Sequence, residues 1–186
     1  IKYSAKGKLL SKYQYSADKK HGPFIENTKK GRPSKQGTFK HNIKEGLFVH
    51  WYSNGKKESE AFFTNGKLEG QLTTWYKNGQ KKSVRVYEMG KETPSLGFAF
   101  WDKSGQIIKI EQYKDGRKHG LWLSSYAMGQ KRLERYFNHG FLNGPWILWD
   151  QKGHIQVLRF LENGVELERD LHAFVASPPR AEEVYF

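Results

Sequence analysis

The sequence predicts an all-β chain: an elongated, twisted antiparallel β-meander of tandem β-hairpins with a short C-terminal capping helix. Three observations predict it. Residues that tolerate a left-handed backbone recur in a fixed register, β-prone runs of ordinary strand length lie between them, and large aromatic residues keep step with the turns.

The register is clearest from Gly46 to Gly70, which reads GLFVHWYSNGKKESEAFFTNGKLEG. Asn54-Gly55 and Asn65-Gly66 each separate two β-prone runs, the strongest short-range hairpin signal. The glycine of the first turn recurs at Gly7, Gly31, Gly55, Gly79, Gly105, Gly129 and Gly153, at spacings of 24, 24, 24, 26, 24 and 24. Eleven residues after each comes a second turn, at Asp18, Asn42, Gly66, Gly90, Gly116, Gly140 and Gly164. Gly, Asn and Asp are the residues that best accept positive φ. A further glycine opens most units, at Gly22, Gly46, Gly70, Gly120 and Gly144. A breaker every eleven to thirteen residues argues against helices.

Each unit therefore supplies two strands, and strands joined by tight turns are antiparallel neighbours. The first strand carries Phe24, Phe48, Leu72, Phe98, Trp122 and Trp146 at one position, and Trp51, Trp75, Trp101 and Trp149 three residues later. The second strand carries Tyr15, Phe39, Phe63, Tyr87, Tyr113, Phe137 and Leu161. At roughly 10 Å per strand pair, some seven units would extend about 65–70 Å. The unit after Gly90 is irregular: Lys91–Leu96 intervenes, and Pro94 cannot donate to a ladder, so a bulge or loop is expected. The array occupies residues 1–164. In the remainder, 165–186, the helical spacing of Leu167, Leu171, Phe174 and Val175 predicts a capping helix over 165–176, stopped by Pro178-Pro179. The tail that follows is read as a docking peptide, as a segment lying on its own sheet edge, or as disordered.

The motif W-Y-x-N-G-x-x-x-x-E followed by a-x-x-G-x-x-x-G, best in Gly46–Gly70 and Gly70–Gly90, resembles the bacterial variant of the MORN repeat. The resemblance runs from about Lys2 to Glu166 and departs from the motif at Tyr13–His21 and Asn27–Asn42, where Trp and several Gly are replaced. It implies a hairpin array used for binding or scaffolding. Related bacterial proteins are often toxin–immunity partners, and many are exported. Other MORN repeats are linked to membranes and protein assembly.

Composition narrows the chemistry. The 186 residues include no cysteine, which excludes disulfides, zinc–thiolate sites and thiol nucleophiles. Only 37% of residues are hydrophobic but 15% are aromatic, so the core rests on few, large side chains. A net charge of +13 favours anionic partners. No cofactor is implied. The absence of cysteine suits an exported protein, as does the resemblance, and an exported or cell-envelope location is expected over the cytoplasm.

Two residue sets are candidates for binding. The column Trp51, Trp75, Trp101 and Trp149 is either a stacking platform for a partner or a ladder packing the sheet. The basic residues Lys29, Lys30, Arg32, Lys56, Lys57, Lys81, Lys82, Lys131 and Arg132 fall at first turns and should build one rim. That rim either docks an anionic surface or protects turns and edges. The seven histidines show no metal-ligand spacing, and Glu58, Glu60, Glu111, Glu134 and Glu166 read as members of cross-strand ion pairs. A single-layer ribbon offers no cleft for acid–base catalysis, so a non-enzymatic module is expected. Its favoured ligand is a partner protein. The alternative is an anionic membrane or polymer, and nucleic acid ranks below both for want of any known motif.

Overall fold

The computed structural model describes residues 1–93 and 97–168. All regular structure among them is strand. In chain order these are β1 (Lys2–Tyr3), β2 (Leu9–Ser16), β3 (Lys19–Asn27), β4 (Pro33–Lys40), β5 (Ile43–Trp51), β6 (Lys57–Thr64), β7 (Lys67–Trp75) and β8 (Lys81–Glu88). Then come β9 (Lys91–Glu92), β10 (Phe98–Trp101), β11 (Ile107–Lys114), β12 (Arg117–Ser125), β13 (Lys131–Asn138), β14 (Phe141–Trp149), β15 (Ile155–Glu162) and β16 (Val165–Glu166). They form one open antiparallel sheet in which spatial order follows chain order. Both edge strands are only two residues long.

The turns explain this connectivity. All fourteen turn positions anticipated from the sequence have positive φ. At each second turn the preceding residue is positive as well, as in Asn65 (φ 50) and Gly66 (φ 80). Two successive positive φ values make the type I′ turn, whose twist matches that of the strands it joins. Second turns also lean on the unit before. The N–H of Gly66 donates to Lys44 O at 2.9 Å, that of Gly140 to Lys118 O at 2.8 Å, and that of Gly164 to Leu142 O at 2.8 Å.

Two expectations are corrected. Lys91 and Glu92 are not loop: they pair with Glu88 and Tyr87 as β9, and Thr93 N donates to Val86 O at 2.9 Å. β9 and β10 share one edge of β8, so together they stand for a single interrupted strand. Pro94–Leu96 lies outside the described residues. At the other end, Val165 and Glu166 pair with Glu162 and Leu161, and Leu167 N donates to Phe160 O at 2.8 Å. The ladder thus runs through the start of the anticipated helix, because the turn at Asn163-Gly164 returns the chain to the sheet edge. Residues 169–186, with the rest of that helix and the tail, lie outside the described residues.

The core is split between the two faces of the sheet. Phe48 pairs with Ala61 while the next residue, Val49, pairs with Glu60, so these neighbours point to opposite sides. On the Phe48 side rings pack in series. Phe24–Phe39 centroids lie 5.0 Å apart, Phe39–Phe48 5.6 Å and Phe48–Phe63 5.0 Å. Each such pair is worth about 0.5–1.5 kcal/mol beyond area burial. On the Val49 side the buried residues are mostly aliphatic, with Val49, Val84, Ala99, Ile110 and Ile147 shielded from water beside Glu134 and Phe160.

Candidate recognition face

Where the first strands end, ladder pairing sets tryptophans and lysines side by side on the Val49 side. Trp51 pairs with Lys57, Trp75 with Lys81, Trp101 with Ile107, Ser125 with Lys131, and Trp149 with Ile155. Each lysine then reaches forward over the next indole. Lys57 Nζ lies 5.6 Å from the Trp75 ring, Lys81 Nζ 5.6 Å from Trp101, and Lys131 Nζ 5.6 Å from Trp149. The four tryptophans are neither core nor fully exposed. Each is a half-buried ring in a column interleaved with ammonium groups, contacts of about 0.5–1 kcal/mol each at exposed sites.

Carboxylates brace part of this column. Lys57 pairs with Glu60, and Lys131 with Glu134 at 2.6 Å. These pairs lie within one strand, as does Lys109–Glu111 at 2.7 Å, which corrects the cross-strand expectation for Glu60, Glu111 and Glu134. The reason is a bulge. The register slips between His50 and Trp51 and between Ser124 and Ser125, so residues three apart on the partner strand share a face. Glu166 does pair across strands, with Arg159 at 3.4 Å. The position of Glu60 and Glu134 is filled by Val84 in the unit of Lys81. Lys81 accordingly has no ion-pair partner among the described residues.

The tryptophan carbonyls are tied to the preceding unit. The hydroxyl of Tyr52 donates to Trp75 O at 2.8 Å, that of Tyr76 to Trp101 O at 3.0 Å, and that of Tyr126 to Trp149 O at 2.8 Å. Asp102 and Asp150 stand at the repeat position of these three tyrosines. Each instead accepts hydrogen bonds within its own turn, Asp102 chiefly from the Ser104 hydroxyl and then the Gln106 N–H, Asp150 chiefly from the His154 N–H, which holds both carboxyls below the usual aspartate range. Beside the column, burial followed by the charge of Glu134 pushes Tyr136 up to about 12; its hydroxyl donates to Glu134 at 3.0 Å.

The nine basic residues differ in their surroundings. Lys57, Lys81 and Lys131 belong to the tryptophan column. Lys82 lies 5.8 Å from the Tyr76 ring and Arg132 5.9 Å from that of Tyr126. Lys56 donates to Asn78 O in the next turn. Lys29, Lys30 and Arg32 stand exposed at the β3–β4 turn, with no ion-pair partner among the described residues.

Sequence reasoning missed two histidine contacts at the second turns. The rings of His21 and His41 lie 4.6 Å apart, and those of His119 and His139 5.2 Å apart. The recurrence of His21 and His119 at one repeat position is the signal that could have found them. Among the described residues no three His, Asp or Glu side chains converge as a metal site.

No curated protein matches the chain. A family model described as the MORN repeat variant matches residues 44–65, which run from β5 through β6 to the Asn65-Gly66 turn and include Trp51, Lys57 and Glu60. MORN repeats are non-catalytic modules commonly associated with membrane or protein binding. The chain thus carries a MORN repeat variant within a β-hairpin meander.

Proposed function

We propose that this chain is a non-enzymatic recognition scaffold of about seven divergent MORN-variant units, of bacterial origin, whose tryptophan–lysine face binds a partner protein. An exported immunity partner of a toxin domain, or a component of an envelope assembly, fits this reading. The observation that carries it is the forward reach of Lys57, Lys81 and Lys131 over successive indoles. Such a surface offers flat aromatic anchors, the residue type most enriched at the hot spots of protein interfaces, with cations beside them that favour an acidic partner. Affinity capture from native cells tests it. The wild-type chain should retain a stoichiometric protein, and the triple variant Lys57→Glu, Lys81→Glu, Lys131→Glu should lose it. Equal retention by both would count against the reading.

A second reading rests on Lys29, Lys30 and Arg32, exposed and without ion-pair partners at one turn. It is attachment to an anionic membrane or polymer. Co-sedimentation with anionic vesicles should then fall steeply as salt rises and vanish when these three charges are reversed.

A further inference from the structure

The tryptophan–lysine column is broken at one place. Ser125 stands where Trp51, Trp75, Trp101 and Trp149 stand, and Ile107 stands where Lys57, Lys81 and Lys131 stand. The two replacements are adjacent. The Ser125 hydroxyl donates to Ile107 O at 2.7 Å, and among the described residues no side chain enters the space an indole fills in the units on either side. An open depression of about 590 Å³ results, lined mainly by Trp101, Ile107, Ile110, Leu121, Leu123 and Ser125. That size is within the range of roughly 300–1,000 Å³ for ligand sites.

The neighbouring units show what such a space accepts. In them it holds an indole lying on the aliphatic layer, with a lysine above. We propose that this gap is a receptor slot for an aromatic side chain of the partner protein, presented on a polyproline II segment with an acidic residue three positions away. The spacing follows from Lys81. Its ammonium group lies over Trp101, two strands from Ser125, or roughly 10 Å, which three residues of polyproline II span while returning to the same face. Because Val84 replaces the bracing carboxylate, Lys81 is, among the described residues, the cation of the column left for an incoming acid. The chain's charge of +13 favours an acidic segment in the same way.

This inference rests on the recognition reading above, and its test separates the two. The probe is a fluorescein-labelled heptapeptide, Glu-Ala-Ala-Trp-Ala-Ala-Glu, titrated onto the full chain by anisotropy. Its symmetry covers both chain directions. Saturable binding is expected, weakened at least about tenfold by Ser125→Trp, which fills the slot, and by Ala in place of the probe's Trp. Lys81→Gln should weaken it by a smaller factor. Unchanged circular dichroism and urea midpoint for Ser125→Trp show that the sheet is intact. The slot assignment is overturned if Ser125→Trp binds the probe as well as wild type does, or if the Ala probe binds equally well. It is also overturned if removing residues 177–186 tightens probe binding, because the occupant is then the chain's own tail. A change in the chain's own sedimentation on Ser125→Trp would assign the slot to a second copy and overturn it too. Should Ser125→Trp still capture the cellular partner while the triple lysine variant does not, the recognition face stands and the slot alone fails.

Discussion

The hydroxyl of Tyr52 donates to the backbone carbonyl of Trp75 across 2.8 Å, linking one unit of the sheet to the next at the foot of the tryptophan column. Tyr76 and Tyr126 repeat the bond to Trp101 and Trp149. A sheet of this kind has few contacts beyond neighbouring units, so its rigidity depends on such sutures.

Removing one suture should be measurable. Tyr52→Phe keeps the ring and deletes the donor, and should cost about 1 kcal/mol in urea unfolding. Tyr126→Phe is several strands away, and the double variant should show the sum of the two within about 0.5 kcal/mol. A larger combined loss would mean that the units are coupled over longer distances than neighbour contacts allow.

The type I′ turns place residues other than glycine at positive φ, among them Ala17 (φ 47) and Met89 (φ 49). Ala has no side-chain oxygen to offset a left-handed backbone. Ala17→Gly and Met89→Gly should each stabilise the fold by about 0.5–1 kcal/mol, read as a rise in the urea midpoint.

Gly37 is needed for a different reason. It is not at a turn, and a Cβ there would lie 2.8 Å from the Phe48 ring. Gly37→Ala should therefore destabilise by about 1–3 kcal/mol through displacement of the Phe24–Phe39–Phe48 stack. Near-ultraviolet circular dichroism should change with it. A variant as stable as wild type would show that the aromatic series yields easily.

Tyr13 and Tyr136 are both pushed up to about 12, chiefly by burial, with Glu26 and Glu134 adding to it. The folded chain thus holds these protons more tightly than the unfolded chain, whose tyrosines ionise near pH 10. Their stabilising contribution is complete below about pH 10 and is lost as the pH rises through about 12. Urea midpoints should fall between pH 9.5 and 11.5 in the wild type, and by less in Tyr136→Phe. An identical fall in both would remove Tyr136 from the effect.

Turn residues made the fold legible. Positive φ restricts residue type, and a restriction recurring at fixed intervals can be read without coordinates. Where context overrides type, as at Ala17, His41, Met89 and His139, only the regular spacing points to the turn. The segment after Gly164 shows the limit of local pattern, since Leu167 has helical spacing yet Val165–Glu166 pair with β15. The candidate face was partly legible. The tryptophans form a column in the sequence, but Lys57 and Trp75 meet only through strand order and the bulge beside Trp51. The slot needed both Ile107 and Ser125, eighteen residues apart, to be seen as one gap.

The central claim is that the tryptophan–lysine face is where a partner binds. Hydroxyl-radical footprinting of the chain, free and in the complex captured from native cells, tests it most directly. The account predicts protection of Trp51, Trp75, Trp101 and Trp149, with the exposed Tyr3 and Phe141 labelled as before. Unchanged labelling of all four tryptophans in a stoichiometric complex would contradict it.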